Sequence, residues 1–159
     1  MKKSIVGLLI MLFWGSFFSA QAVAVHPLVH AGYVYQNQSF GELGGRVLFL
    51  RKDQVLWRAG AAALMGSVNG KGAVLPKIQG EVLFNFGAPR DVSYPYYFLV
   101  GVEATSKYAS PKAGLNVLGL LDFSVGYALP FGAARLNEKR LEGLNFGVTL
   151  NVPLVVFKK

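Results

Sequence analysis

The residues that could do chemistry in this chain are few, and its two histidines are the first candidates. His26 and His30 are separated by four positions. In an extended strand their Cα atoms lie about 13 Å apart, at 3.3 Å per residue. Both cannot bind one metal ion at that separation, and no carboxylates cluster near either of them in the sequence. We therefore predict no metal site and no cofactor.

A nucleophilic site is the second chemistry that the residue types allow. His30, Ser124 and either Asp122 or Glu103 could share one face of a sheet as base, nucleophile and acid. A catalytic serine, however, needs its base within hydrogen-bond reach, and no motif places these residues together. The pattern favours polar residues of an interior or a rim, so we predict no catalytic residues.

Six ionisable residues in the middle of predicted strands form the strongest cluster. Three are positive, three are negative, and all lie on the polar side of their strands: Arg46, Arg58, Lys77, Glu81, Glu103 and Asp122. Enclosed singly, each charge would be costly, whereas opposite charges enclosed together can neutralise one another. As a structural hypothesis, we predict that these six residues form a charge network inside the protein.

A two-residue alternation of apolar and polar side chains determines the elements that carry these residues. Between Val74 and Phe86 the large apolar residues share one face, and Lys77, Gln79 and Glu81 share the other. Successive side chains of a strand point to opposite faces, so this pattern predicts a strand with one apolar side. Similar segments follow one another along the chain, and none has a convincing helical period.

Seven strands are predicted from this alternation, with turn residues between them. Their bounds are Leu28–Gln36, Phe40–Arg51, Val55–Gly66, Ala73–Phe86, Tyr94–Thr105, Ala113–Ala128 and Leu141–Asn151. The predicted turns include Asn37-Gln38-Ser39, Asn69-Gly70-Lys71-Gly72, Ser110-Pro111 and the segment from Pro130 to Asn137. Neighbouring strands with short connections favour an antiparallel meander.

The composition of the two strand faces indicates which one points outward. A soluble barrel would place the apolar face inside and a charged face in water. Here the polar face is dominated by small residues, and the chain is only 15% charged. Small side chains suit the interior of a narrow barrel, and large apolar ones suit lipid. We therefore predict an all-β, membrane-embedded, antiparallel barrel with a polar lumen that its own side chains fill.

The first residues have the pattern of a signal peptide. Lys2 and Lys3 precede an apolar run from Ile5 to Phe18, and Ala20-Gln21-Ala22 supplies a cleavage pattern. We expect residues 1–22 to be removed and residues 23–159 to form one domain. Removal of both lysines lowers the formal net charge from +8 to +6. The chain has no cysteine, which excludes disulfides and thiolate chemistry.

With these features, residues 28–157 resemble the small outer-membrane β-barrels of Gram-negative bacteria. Aromatic residues near the strand ends are similar to the interfacial girdles of such barrels: Tyr35, Trp57, Phe86, Tyr94, Tyr96, Tyr108 and Tyr127. The final segment, Val152–Phe157, is similar to their C-terminal assembly signal. The resemblance implies an even number of strands, at least eight, so the count of seven leaves one unassigned.

The resemblance implies an outer-membrane location and a non-enzymatic structural, envelope-maintenance or surface-interaction role. Two alternatives stay open, a lipid-modifying outer-membrane enzyme and a soluble, lipocalin-like carrier of an apolar ligand. Transport is weakly supported, because the lumen of a barrel of about eight strands is filled by side chains. The expected partners are outer-membrane lipids, including lipopolysaccharide phosphates that bind basic turns, and not nucleic acid.

Overall fold

The protein is a closed barrel of eight antiparallel strands in a computed structural model that describes residues 23–50, 55–85 and 96–154. The strands are β1 Ala24–Gln36, β2 Ser39–Leu50, β3 Val55–Val68, β4 Lys71–Asn85, β5 Tyr96–Thr105, β6 Tyr108–Val117, β7 Leu121–Pro130 and β8 Gly143–Pro153. They follow chain order around the wall, and β1 pairs with β8 to close it. The predicted up-and-down barrel is confirmed. Among the described residues no helix is long and apolar enough to cross a membrane.

The count of seven strands was wrong because one predicted strand is two. The segment Ala113–Ala128 contains β6 and β7, joined by a turn at residues 118–120. Leu118 and Gly119 adopt positive φ angles of 57° and 71° there, which turn the chain back. Leucine is uncommon in this conformation, so the sequence gives little sign of the turn.

The alternation of side chains continues through this turn because of the register of the two strands. Val117 pairs with Leu121, and Leu115 pairs with Phe123. Since odd-numbered residues pair with odd-numbered residues, the outward face of β6 continues as the outward face of β7. A pattern with a period of two therefore runs unbroken across a reversal of the chain.

The predicted turn at Ser110-Pro111 was also wrong. The chain turns at Ser106 and Lys107, and β6 continues through Pro111, which points outward. Pro111 pairs with Val102 of β5, but the pairing of β6 with β7 is interrupted between Ala109 and Lys112. Proline has no N–H to donate, so it weakens one ladder without ending the strand.

With eight strands, both ends of the described chain lie at the same end of the barrel. We call this the terminal end; β1 begins there and β8 finishes there. At the opposite end, the turn end, the connections are Asn37-Gln38, Asn69-Gly70 and Ser106-Lys107. The two longest connections lie at opposite ends: residues 131–142 join β7 to β8 at the turn end, and β4 finishes and β5 begins at the terminal end.

Several strand boundaries and the predicted processing segment fall outside the described residues. This applies to residues 1–22, to Arg51, to Phe86 and Tyr94, and to the end of the chain from residue 155. The signal peptide and the division of the chain at residue 22 therefore stay predictions.

Small residues on the inner face allow the wall to curve tightly. A Cβ atom on Gly44 would lie 2.3 Å from the carbonyl oxygen of Ala61, and one on Gly114 would lie within 2.0 Å of that of Phe123. Gly80, in contrast, points outward and would place a Cβ in open space. Strands on the concave side of a closed sheet approach closely, so glycine is needed inside and not outside.

Gly44→Ala should destabilise the barrel, because its Cβ would meet backbone atoms that cannot move without widening the wall. Overpacking of this kind typically costs about 1–3 kcal/mol. Gly80→Ala is the matched control, a strand glycine with free space, and should be neutral or slightly stabilising. The free energy of unfolding in urea, measured for protein folded in lipid vesicles, checks both variants. Equal effects of the two substitutions would contradict the packing argument.

Candidate functional site

The middle of the lumen is filled by charged side chains. All six residues of the predicted cluster point into the barrel and are buried. Glu42 and Lys112 are buried among them. The described lumen therefore encloses four lysine or arginine side chains and four carboxylates, and its formal charge is zero.

Nearer to the terminal end, the network is built around Asp122 of β7. Arg46 and Arg58 both donate to Asp122, at 2.6 Å and 2.7 Å. The Nε atom of Arg58 also donates to Glu81, at 2.6 Å. These side chains come from strands β2, β3, β4 and β7, so their ion pairs connect opposite sides of the wall.

Nearer to the turn end, the network is built around Lys77 of β4. Its Nζ donates to Glu42 at 2.5 Å and to Glu103 at 3.1 Å. Lys112 lies 3.1 Å from Glu103 and 3.4 Å from Glu81, so it joins this group to the arginine group. Every charged member thus contacts at least two partners of opposite sign, and no described member is left unpaired.

Neutral side chains satisfy the remaining hydrogen-bonding atoms of the carboxylates. Asn116 and Asn151 donate to Asp122, at 2.6 Å and 2.8 Å. Asn145 and Tyr108 donate to Glu103, at 3.1 Å and 3.3 Å. A buried ion pair is tolerated when such additional bonds complete its geometry, so these residues belong to the network as much as the charges do.

Sequence reasoning placed two members of the network incorrectly, for different reasons. Glu42 was not included in the predicted network, because it lies near the start of its strand. Lys112 was counted among the turn residues, because Ser110-Pro111 was interpreted as a turn. The sequence did contain a signal: Lys112 has an even residue number, as do Asn116 and Asp122, and even positions in this part of the chain lie on the inward face.

The residues considered for nucleophilic chemistry do not form a triad. His30 is buried, and its Nε2 atom bonds Glu42 Oε1 at 2.8 Å. Ser124 of β7 pairs with Gly114 and Gly147, and no hydrogen bond joins it to His30 within the described residues. Asp122 and Glu103 are engaged by the network. Across these same ranges, no group of three or more His, Asp or Glu side chains is placed to hold a metal ion.

An apolar cluster closes the lumen at the turn end. Its buried members are Val34, Phe40, Leu64, Val68, Ala73, Leu75, Tyr108, Ala128 and Leu141. We had placed Tyr108 in an outer aromatic girdle, but it points inward and is fully buried. The misplacement of Tyr108 has the same origin as that of Lys112, namely the wrongly predicted turn at Ser110-Pro111. Tyr108 in fact begins strand β6.

The connection between β7 and β8, residues 131–142, lies over this apolar cluster; we call it the cap. Leu141 is buried in the cluster and Leu136 packs against it. The Nδ2 atom of Asn137 donates to the carbonyls of Val68 and Lys71, at 3.4 Å and 3.3 Å. Lys139 Nζ donates to the carbonyl of Asn37 at 2.6 Å. The cap is therefore fixed to two turns of the wall.

The outer surface of the barrel is apolar. Among the exposed large side chains are Val29, Leu43, Ile78, Val100, Phe123, Leu144 and Val148, from nearly all strands. Exposed aromatic residues lie near both ends of the wall: Tyr35 and Tyr127 near the turn end, Trp57 and Tyr96 near the terminal end. This distribution is the reverse of that in a water-soluble protein, in which charges face outward.

Fold and lumen together define the class: a small, closed, eight-stranded antiparallel barrel with an apolar exterior and a charged, filled interior. This is the architecture of small outer-membrane β-barrels. The chain is similar to the crystal structure of Neisserial surface protein A, with a TM-score of 0.48 and 10% sequence identity over 83% of this chain and 99% of that chain. No protein-family model matches the chain. No curated protein matches it in sequence.

A double-mutant cycle on Glu42 and Lys77 tests the network. Each of Glu42→Gln and Lys77→Met leaves buried partners of one sign in excess, so each should cost about 3–5 kcal/mol. The double variant removes both members of one direct ion pair, so that neither leaves the other unpaired, and it should cost clearly less than the sum of the two, as measured by urea unfolding in vesicles. Glu42 and Arg58, which form no ion pair with each other, serve as the control pair, and there we expect a much smaller coupling energy. Additive costs for Glu42 and Lys77 would show that the pair is not coupled.

Proposed function

We propose that this protein is a small integral outer-membrane barrel with a non-enzymatic, structural role in the cell envelope. The observation that carries the proposal is the inverted distribution of side chains, with large apolar groups outside and all described mid-strand charges inside. Strands of 10 to 15 residues are long enough for a tilted crossing of a bilayer, which needs about 9–11.

A soluble carrier is disfavoured by the outer surface. Monomeric soluble proteins rarely expose continuous apolar patches larger than a few hundred Å². Here exposed aliphatic and aromatic side chains follow the outward face of every strand of the wall, from Val25 in β1 to Leu150 in β8. Lipid satisfies such a surface, whereas water does not.

An open channel is disfavoured by the contents of the lumen. The ion pairs around Asp122 and Lys77 occupy its centre, and the apolar cluster and the cap close its turn end. A barrel of eight strands has an interior just wide enough for side chains to fill. We infer that the lumen supports the wall, because its described side chains leave no open path for an ion.

The connections give little support to a receptor or an adhesin. In outer-membrane barrels the termini face the periplasm and the longer loops face outward. Here three of the four connections at the turn end have two residues each. The fourth is the cap, which is hydrogen-bonded to the wall and does not project as a separate binding loop.

The proposed partners are lipids with phosphate groups, including lipopolysaccharide. The described basic residues outside the lumen all lie at the turn end: Lys71, Lys107, Arg135, Lys139 and Arg140. Since the lumen is neutral, the positive surplus of the described barrel is concentrated at this rim, beside the outer aromatic residues. Basic side chains at this level can pair with phosphates of neighbouring lipids.

The location is tested by fractionation of cells that express the full, untagged chain, which is detected with an antibody. We expect the protein in outer membranes, extractable only with detergent, because its outer surface needs an apolar solvent. A lipid profile of the same membranes should not change when the gene is deleted. Monodisperse protein in detergent-free periplasmic extracts would contradict the membrane location, and a changed acyl composition would favour the enzyme.

A charge on the outer wall tests the orientation of the two faces. Ile78 lies at the middle of β4 and is 65% exposed; Val74, on the same face nearer to the turn end, is 67% exposed. Ile78→Arg should cost about 2–4 kcal/mol of stability in vesicles, and Val74→Arg about 0–1 kcal/mol, because the cost of a charge falls towards the interface. Equal tolerance of both would be expected of a soluble barrel and would contradict our assignment. Gln79→Arg is not a suitable luminal control, because Gln79 is buried against Arg46 and a further cation there would be costly.

A further inference from the structure

The lumen contains an apolar cavity at the terminal end. Its volume is about 350 Å³, and most of its wall consists of Leu28, Leu48, Leu50, Leu56, Leu83 and Tyr97. These residues occupy inward positions near the ends of β1 to β5. The turn end of the barrel, in contrast, is filled by the apolar cluster and covered by the cap. The cavity is therefore blind, and its floor is the charge network.

Among the described residues, one buried polar atom at the floor lacks a partner. Asn116 lines the cavity and is fully buried, and its Oδ1 atom has no hydrogen-bond partner. Its Nδ2 atom donates to Asp122, which fixes the orientation of the amide. Buried acceptors are rarely left unpaired, so this oxygen requires a donor.

Arg58 supplies a complementary donor at the same place. It lines the cavity too, and it uses Nε for Glu81 and Nη2 for Asp122. Its Nη1 atom makes no hydrogen bond within the described residues. Arg58 and Asn116 both line the cavity and both bind Asp122, so the two side chains meet at this carboxylate on the floor.

The charge balance of the lumen selects among ligands with a polar head. Four cations and four carboxylates already neutralise each other, so an anionic head would bring an unbalanced charge into a buried space. Such a charge is costly. A neutral head with both a donor and an acceptor, such as an amide or a hydroxyl group, satisfies both spare atoms and leaves the balance unchanged.

From this geometry we infer that the terminal end of the lumen binds a neutral, single-chain amphiphile, with its amide or hydroxyl head between Asn116 and Arg58 and its alkyl chain along the leucines. The volume is within the usual range for sites of small ligands, roughly 300–1,000 Å³. This inference goes beyond the structural role, because it assigns a ligand to the barrel.

Titration of methyl-labelled barrel in lipid nanodiscs with octanamide tests the inference by NMR. The methyl groups of Leu28, Leu56 and Leu83 should shift in a saturable manner. The outward-facing Leu43 and Leu144 should change only in proportion to the amide dissolved in the lipid. Octane, which lacks the head group, should bind about tenfold more weakly than octanamide, since a hydrogen bond to a charged group is worth about that factor. Octanoate should also bind more weakly than octanamide, because its charge would be unbalanced in the neutral lumen.

A variant that fills the cavity provides the second measurement. Leu50→Trp should abolish the saturable shifts of Leu28 and Leu83, and Leu144→Trp, on the outer face, should leave them unchanged. Both variants are first compared with the parent by their amide spectra, so that loss of folding is separated from loss of binding. Absence of saturation in the parent barrel, or equal affinity for octane and octanamide, would overturn the inference. Retention of the shifts in a folded Leu50→Trp barrel would overturn it too.

Discussion

Electrical neutrality inside a narrow closed wall is the constraint on which the rest of this structure depends. Removing one charge from water into a low-dielectric interior costs several kcal/mol, and only close partners with good geometry offset it. The barrel meets the condition with chains of contacts, in which Arg46 and Arg58 share Asp122 while Lys77 and Lys112 share Glu103. Each strand from β2 to β7 contributes a charge, so the network joins most of the wall.

The same narrow wall explains the distribution of side-chain size. Eight strands leave little room inside, and the charged residues need most of it. The neighbouring inward positions are therefore occupied by glycine, as at Gly44 and Gly114, where any side chain would meet the adjacent backbone. The outer face has no such limit and holds the large apolar residues. Curvature and hydrophobicity together produce the alternation that is visible in the sequence.

The sequence predicted the faces more reliably than it predicted the turns. Odd and even positions of a strand lie on opposite faces, so every residue of the strand gives evidence for the same assignment of faces. A turn depends on two or three residues, and Leu118 has none of the usual turn chemistry. Lys112 and Tyr108 were misplaced for that reason alone, since a single wrong turn at Ser110-Pro111 removed both from their strand. Contacts such as that of Lys112 with Glu81 depend on register across the wall, and no local pattern contains that information.

The cap has a consequence for the order in which the chain folds. Asn37, beside the first strand, donates to the carbonyl of Arg140, which is 103 positions away and precedes the last strand. These two residues meet only when the first and last strands are paired, so this bond forms after closure of the seam and not before. Contacts of such long sequence separation are reached late, because the intervening chain must be ordered first. A half-built sheet would thus keep the cap loose and the turn end accessible, and completion of the ring would bring the covering segment and its anchors together in one step.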